Sequence, residues 1–194
     1  YALGVTGHNE WSGTPKNPWN LEYICGGSSS GSGCVVAAGI VPAALGSDTG
    51  GSIRLPAAAC GLVGIKPTHG LVSRDGVFPL SNSLDTVGPL ARTVNDAAKI
   101  LEIITGYDPN DSSSIKVPFN KFSKDLDLSV DKIKIGLPKN YFLEGTDTEM
   151  SDYTADSFDL IAKLGCICKD IILPEINTIN SLNFLLIATE AAKI

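Results

Sequence analysis

Residues 25–67 read CGGSSSGSGCVVAAGIVPAALGSDTGGSIRLPAAACGLVGIKP, and this stretch decides the fold. Two clusters rich in glycine and serine, residues 26–32 and 46–52, lie on either side of an apolar segment at residues 34–45. A flexible linker would be polar throughout and would need no such apolar partner. We therefore predict two ordered loops held at the edge of a hydrophobic core.

The overall composition is that of an ordinary globular domain. Of the 194 residues, 43% are hydrophobic and 19% are charged, which is enough apolar surface for one sizeable core. The net charge of −6 argues against direct binding of nucleic acid through phosphate contacts. The longest apolar run is interrupted by Gly39 and Pro42 and is too short to span a bilayer, so we expect no membrane segment.

The five cysteines do not have the spacing of a metal site. Cys166 and Cys168 form a C-x-C pair in an apolar run, whereas zinc sites use spacings such as C-x2-C. We therefore expect buried, reduced thiols in a cytoplasmic protein, with no metal and no other cofactor. The chain opens without Met and without a basic leader, which predicts that it is a piece of a longer polypeptide.

The first cluster combines a tight backbone with several hydroxyl groups. Gly26 and Gly27 permit a close approach of the main chain, and Ser30 or Ser32 is expected to cap a helix that continues through residues 34–40. The positive end of that helix would face the serine loop, which favours developing negative charge there. No Gly-Lys-Ser/Thr closes the loop, so it is not a phosphate loop.

The second cluster is predicted to be a turn that follows a short buried strand at residues 41–45. Consecutive glycines allow backbone N–H groups to converge, as an oxyanion hole requires, and Ser52 closes the turn. On composition alone, a plain surface turn ahead of a helix at residues 53–60 is the simpler interpretation. We place a candidate nucleophile at Ser52, although this turn supplies no proton acceptor.

Three motifs in this stretch resemble the amidase signature family. They are GGSSSGS at residues 26–32, GSDTGGSIR at residues 46–54 and CGLVGIKPT at residues 60–68. The match continues through residues 70–76, 84–94 and 106–109, so essentially the whole chain resembles the middle of such an enzyme. The resemblance implies an α/β fold: part of a mixed central β-sheet flanked by α-helices on both faces, incomplete at both ends.

The resemblance also implies a Ser–cis-Ser–Lys triad. It puts the nucleophile at Ser52 and the second, proton-relaying serine at Ser28, with a cis peptide bond leading into Ser28. Thr49, Gly50 and Gly51, together with the N–H of Ser52, become the implied oxyanion hole. The residues implied to support the two loops are Gly26, Gly27, Ser29, Asp48 and Arg54, the last two as a structural ion pair.

The lysine of the triad is the point at which this sequence departs from the family pattern. In the family it lies several dozen residues before the paired glycines, in a stretch that this chain does not contain. Lys66 matches a scaffold lysine rather than the base. We therefore expect the base upstream of residue 1 and predict that these 194 residues alone are inactive.

The implied activity is cleavage of a carboxamide C–N bond through an acyl-enzyme. One alternative is the glutaminase-type A-subunit of an aspartyl/glutamyl-tRNA amidotransferase, although His69 and residues 78–81 favour the stand-alone hydrolases. Another is a truncated, non-catalytic piece with a structural or interaction role. Expected partners are a small amide substrate, the remainder of the amidase polypeptide and a second copy in a homodimer, while the particular amide and the oligomeric state stay open.

The resemblance implies one partial amidase domain, and the residue pattern divides it into three parts. These are a signature core with the serine loops at residues 1–106, a surface connection at 107–131 and a strand–helix–strand–helix scaffold at 132–194. Thr93 is expected at the start of a helix that reaches Gly106, and the Thr146-x-x-Glu149 spacing predicts a capping box. The remaining predicted elements are strands at 85–90, 132–138 and 167–173 and helices at 146–164 and 176–194.

Overall fold

The computed structural model describes residues 2–118, 121–142, 145–173 and 175–194. It divides into two units, of which the first comprises Tyr1–Leu126 with Asn183–Ile194 and the second Asp127–Leu182. Both serine loops lie in the first unit.

The first unit contains α1 (Ser30–Ala37), β1 (Ala43–Asp48), α2 (Arg54–Ala59), β2 (Val63–Gly64), β3 (Thr86–Ala91), α3 (Val94–Ile104) and a 3-10 helix at Phe122–Asp125. The second unit contains β4 (Lys134–Pro138), α4 (Lys139–Phe142), α5 (Thr148–Lys163), β5 (Ile167–Ile171) and the beginning of α6 (Ile176–Ala191), whose later residues belong to the first unit.

A three-stranded antiparallel sheet, in the order β1-β3-β2, is the centre of the first unit. Every residue of β3 is buried, because the strand is paired on both edges and covered on both faces. Leu90 packs against Ile53 and Ala57 at α2, and Val87 packs against Val72 and Leu101, the latter from α3. Since Val87 and Leu90 point to opposite faces of the strand, helices cover both faces of this sheet.

The second unit is built around a parallel pair of strands. Lys134 of β4 pairs with Ile167 of β5, and the pairing continues to Pro138 and Ile171. The α5 helix connects the two strands, as parallel strands require, and it packs against β5. The predicted α/β fold is therefore confirmed, with the described strands in two sheets, one antiparallel and one parallel.

Three local expectations are wrong. The strand predicted at residues 41–45 is Ala43–Asp48, because its pairing with β3 continues to Asp48 opposite Thr86. Ser30 and Ser32 lie inside α1 and do not cap it: the Ser30 hydroxyl donates to the Ser28 carbonyl and the Ser32 hydroxyl donates to the Leu45 carbonyl.

The α5 helix is capped by Asp147 rather than by Thr146, which is the third difference. The Asp147 carboxylate accepts the Met150 N–H at 2.8 Å, and the Thr146 hydroxyl instead pairs with the Ser151 hydroxyl. A carboxylate is the stronger acceptor at a helix N-terminus, so it displaces the neighbouring hydroxyl. The predicted helix start at Thr93 is confirmed, and the structure shows that its side chain caps the helix by accepting the Asp96 N–H.

All five cysteines are free thiols, as expected, but only two of them are buried. Cys25 and Cys60 are fully buried, whereas the other three are half-buried. Burial, with the nearby Cys60 and Cys34 thiols, raises the pKa of Cys25 to about 12. Cys25 is therefore an unreactive core thiol at neutral pH.

We predict that Gly88→Ala destabilises the first unit. A Cβ at Gly88 would lie 2.1 Å from the Ile65 carbonyl oxygen and 3.0 Å from Pro67, so the sheet would have to open locally. We expect the free energy of unfolding in urea to fall by about 2 kcal/mol. Gly106→Ala is the matched control, because nothing lies within 4 Å of its added Cβ. An equal effect of both substitutions would contradict the steric explanation.

Candidate active site

The first serine loop, residues 26–32, is held by close backbone contacts at Gly26 and Gly27. The second serine loop, residues 46–52, ends in the turn that carries Ser52. The peptide bond between Gly27 and Ser28 is cis, as the family resemblance implies. A Cβ at Gly27 would lie 2.1 Å from the Gly4 carbonyl oxygen, and one at Gly26 would lie 3.0 Å from the Leu55 backbone. Only glycine fits at either position, so the main chain itself is packed into place.

The two serine loops are in direct contact. The Ser29 N–H donates to the Ser52 carbonyl at 3.1 Å. The Ser29 hydroxyl is also 3.2 Å from both the N–H and the carbonyl of Ser47, donating to the carbonyl and accepting from the N–H. Ser28 is half-buried, and Ser52 is only 8% exposed. Ser29 therefore joins the segment carrying Ser28 to the segment carrying Ser52.

The turn before Ser52 is organised around the Asp48 carboxylate, which is fully buried at the end of β1. Its Oδ1 accepts the Gly51 N–H at 2.8 Å, and its Oδ2 accepts the Ile53 N–H at 3.1 Å. The Arg54 guanidinium completes the arrangement with two bonds, one to each carboxylate oxygen, at 3.0 and 2.9 Å. The expected Asp48–Arg54 ion pair is present. Together with the backbone hydrogen bonds to Asp48, it ties the two ends of the turn to one carboxylate.

The charge of Asp48 depends on these donors. Burial pushes the pKa of the carboxyl upward, but the hydrogen bonds from Arg54 and from the Ile53 N–H outweigh it, and the net pKa lies below its ordinary value. Asp48 is therefore ionised at neutral pH, and its negative charge is balanced inside the turn.

The hydrogen bonds of the turn distinguish among the implied oxyanion donors. The Gly51 N–H already donates to Asp48, whereas the N–H groups of Gly50 and Ser52 donate to no acceptor within the described part of the chain. Gly51 has a φ of 133°, a conformation that favours glycine. Gly50 and Ser52 are thus better suited than Gly51 to bind a developing oxyanion.

Asp85 is a second buried carboxylate at the turn. The Thr49 hydroxyl donates to its Oδ1 at 2.5 Å, and its Oδ2 accepts the N–H groups of Leu80 and Ser81 at 2.7 and 2.9 Å. No local pattern in the sequence indicates this role, because Asp85 lies 36 residues from Thr49. The residue pattern predicts Asp85 only as the start of a strand.

An open pocket of about 510 Å³ lies beside Ser28. Its walls are uncharged, and they come from the N-terminal loop and the serine loop: Gly7, Asn9, Ser12, Gly13, Thr14, Pro15, Ser28, Ser30 and Gly31. Ser28 therefore faces a space large enough for reacting groups or another part of a polypeptide.

Two basic side chains of the first unit, Lys66 and His8, have ordinary structural partners. The Lys66 ammonium is exposed and donates to the Pro67 carbonyl at 2.7 Å, in agreement with its assignment to the scaffold. His8 is also exposed, with its Nδ1 3.0 Å from the Thr14 hydroxyl. Within the described residues, no group of three or more His, Cys, Asp and Glu side chains is arranged to hold a metal ion.

A family model described as Amidase matches residues 1–194. The chain belongs to the amidase family. This agrees with the motifs around the two serine loops and with the cis peptide bond before Ser28. None of the helices in the described part of this amidase-family chain has both the length and the apolar character needed to cross a membrane.

Curated relatives and solved structures give the same family. The chain is 47% identical over 175 residues to the glutamyl-tRNA(Gln) amidotransferase A-subunit of Neisseria gonorrhoeae, covering 90% of this chain and 36% of the relative. The crystal structure of the corresponding protein from Thermotoga maritima superposes with a TM-score of 0.95 at 38% identity, covering 99% of this chain and 42% of that one. The peptide amidase of Stenotrophomonas maltophilia gives 0.86 at 34% identity, with 97% and 39% covered.

The amidase-family chain spans about two fifths of the length of these relatives. The match extends over both serine loops and both described sheets. The family and fold are therefore established for this stretch.

We predict that Asp48→Asn destabilises the protein in a pH-dependent manner. At pH 7 we expect a loss of about 2 kcal/mol in the free energy of unfolding, since hydrogen bonds to a charged acceptor are weakened. The folded-state pKa of Asp48 is lowered, so its contribution is complete above the unfolded pKa of about 3.9 and is lost as pH falls through the folded value.

Urea titrations between pH 7 and the acid limit of folding measure this difference between wild type and variant, which should narrow as the pH falls. Asp152→Asn, which changes an exposed aspartate of α5, is the control and should have little effect at any pH. A difference that stays constant down to acid pH would show that the carboxylate charge is not responsible.

Proposed function

We propose that this chain carries the serine half of an amidohydrolase site, with Ser52 as nucleophile and Ser28 as proton relay. The observation that carries the proposal is the contact between the two loops, in which the residue after Ser28 donates its N–H to the carbonyl of Ser52. The family match supports the same pairing. The substrate is a carboxamide, and the bond that breaks is its C–N bond.

The chemistry proceeds through an ester of Ser52. The Ser52 oxygen attacks the amide carbonyl carbon and passes its proton to the Ser28 oxygen, while Ser28 gives its own proton to a base. The carbonyl oxygen becomes an oxyanion that the free N–H groups of the turn stabilise. Collapse of this intermediate breaks the C–N bond; Ser28 protonates the leaving amine and takes back a proton from the base. Water then hydrolyses the ester and returns a proton to Ser52.

The base is the lysine that the family resemblance puts upstream of residue 1. It must be neutral to accept a proton, which requires its pKa to fall well below about 10.4 through burial and hydrogen bonding. The rest of the amidase polypeptide is therefore the first partner of this chain.

More specifically, we propose that this chain belongs to the glutaminase-type component of a glutamyl-tRNA(Gln) amidotransferase. Its support is that relatives bearing this name match at 43–48% identity over 90–99% of the chain. In this role the carboxamide is that of glutamine, the released product is ammonia, and partner subunits are required. The peptide amidase, at 34% identity, supports a stand-alone hydrolase as the second candidate. A cytoplasmic location fits either reading.

We predict that Ser52→Ala in the natural polypeptide lowers kcat by at least about 10⁴-fold, because the acyl-enzyme has no oxygen on which to form. A fluorophosphonate probe followed by intact-mass analysis should find one adduct on wild type and none on the variant. Ser157→Ala, on the exposed face of α5, is the control and should keep both labelling and turnover. An adduct on a peptide that lacks Ser52 would overturn the assignment.

A second prediction separates the two candidates. If the natural polypeptide belongs to an amidotransferase, ammonia release from glutamine should increase when its partner subunits and glutamyl-tRNA(Gln) are added. Ammonia can be followed by a coupled enzymatic assay, with Ser52→Ala as the background. Equal turnover of simple carboxamides with and without these additions would favour the stand-alone hydrolase instead.

A further inference from the structure

The Glu190 carboxylate, near the end of α6, binds the loop at residues 81–83. It accepts hydrogen bonds from the Ser81 hydroxyl, from the Ser83 hydroxyl at 2.6 Å and from the Ser83 N–H at 3.1 Å. These three donors lower the pKa of Glu190 to about 2, and the Ser81 and Ser83 hydroxyls have the largest effects. The side chain is therefore ionised at neutral pH and acts only as an acceptor.

The loop that Glu190 binds is joined to the serine turn through Asp85. Ser81 is fully buried; its hydroxyl donates to Glu190, and its N–H donates to Asp85 at 2.9 Å. Asp85 in turn accepts the Thr49 hydroxyl. An unbroken series of hydrogen bonds thus runs from α6 to the first residue of the turn.

The same part of α6 also lies close to the turn. Ile187 lies one helical turn before Glu190, and its Cδ1 is 3.2 Å from the position that a Cβ on Gly50 would occupy. Glu190, Ser81 and Gly50 all belong to the first unit. The hydrogen bonds of Glu190 therefore hold in place both Ile187 beside Gly50 and the hydrogen-bond series that ends at Thr49.

We propose that Glu190 is a positioning residue for the Thr49–Gly50 turn, acting through Ser81, Asp85 and Thr49. The inference rests on the proposed function of Ser52. The N–H groups of an oxyanion hole must stay within a few tenths of an ångström of their productive positions to stabilise the transition state. In Glu190→Gln the negative charge is lost and an NH₂ group replaces one acceptor oxygen, so the bonds to the Ser81 and Ser83 donors are weakened and the bond to the Ser83 hydroxyl must reverse its direction.

The test is a double-mutant cycle in the natural polypeptide, with any partner subunits that it needs. Glu190→Gln and Thr49→Val should each lower kcat about tenfold, as displacement of catalytic groups does, while KM changes by less than about twofold. The kcat of the double variant should be no lower than that of the less active single variant, because both changes break the same series of contacts. Glu149→Gln, an exposed glutamate in α5, is the control and should keep wild-type kcat.

Two results would overturn the inference alone: a folded Glu190→Gln protein with wild-type kcat, or losses that multiply in the double variant. If Glu190→Gln does not fold, Ser83→Ala removes one hydroxyl and leaves the Ser81 contact, and it should lower kcat about threefold. An unchanged kcat in Ser83→Ala would then count against the proposal. Wild type without Ser52-dependent turnover would instead overturn the proposed function, and this inference with it.

Discussion

The serine turn depends on one buried carboxylate. Asp48 lies at the end of β1, and its oxygens accept backbone N–H groups from the turn as well as two bonds from Arg54. The aspartate is fully buried, while the Arg54 side chain is 55% exposed. The buried negative charge is therefore paired with a positive charge that remains partly solvated. This carboxylate accepts the N–H groups of Gly51 and Ile53, whereas those of Gly50 and Ser52 donate to no acceptor within the described residues. The hydrogen bonds to Asp48 thus hold the shape of the turn.

The register of the antiparallel sheet decides which side chains meet at this turn. Asp48 pairs with Thr86, so the residues just beyond, Thr49 and Asp85, come together where the two strands end. A shift of one residue in this pairing would exchange the faces of β1 and separate them. The covered core on both faces of β3 fixes the register, since Val87 and Leu90 each have a packed partner. Hydrophobic packing therefore sets the position of polar groups.

Close backbone contacts at glycines hold the serine loop against the sheet. An added Cβ at Gly46 would lie 2.7 Å from the Ser29 hydroxyl, and one at Gly27 would strike the Gly4 carbonyl. The loop is thus packed between the sheet and the N-terminal segment with no room for side chains at these positions. This rigidity distinguishes it from a flexible Gly/Ser linker of similar composition. It also holds Ser28 at a defined position beside the turn that carries Ser52.

The sequence by itself determined the family, the α/β class, the two ordered loops and the cis peptide bond, because these follow from motifs that are contiguous in the chain. It also predicted the Asp48–Arg54 pair, whose members are six residues apart. Only the tertiary structure decided the end of β1, the hydrogen bond from the Gly51 N–H to Asp48, and the contacts of Asp85 and Glu190. The hydrogen bonds that these two carboxylates accept from the Thr49 and Ser83 hydroxyls span 36 and 107 residues. Such contacts have no local pattern, since they exist only once strand register and helix packing have brought distant segments together.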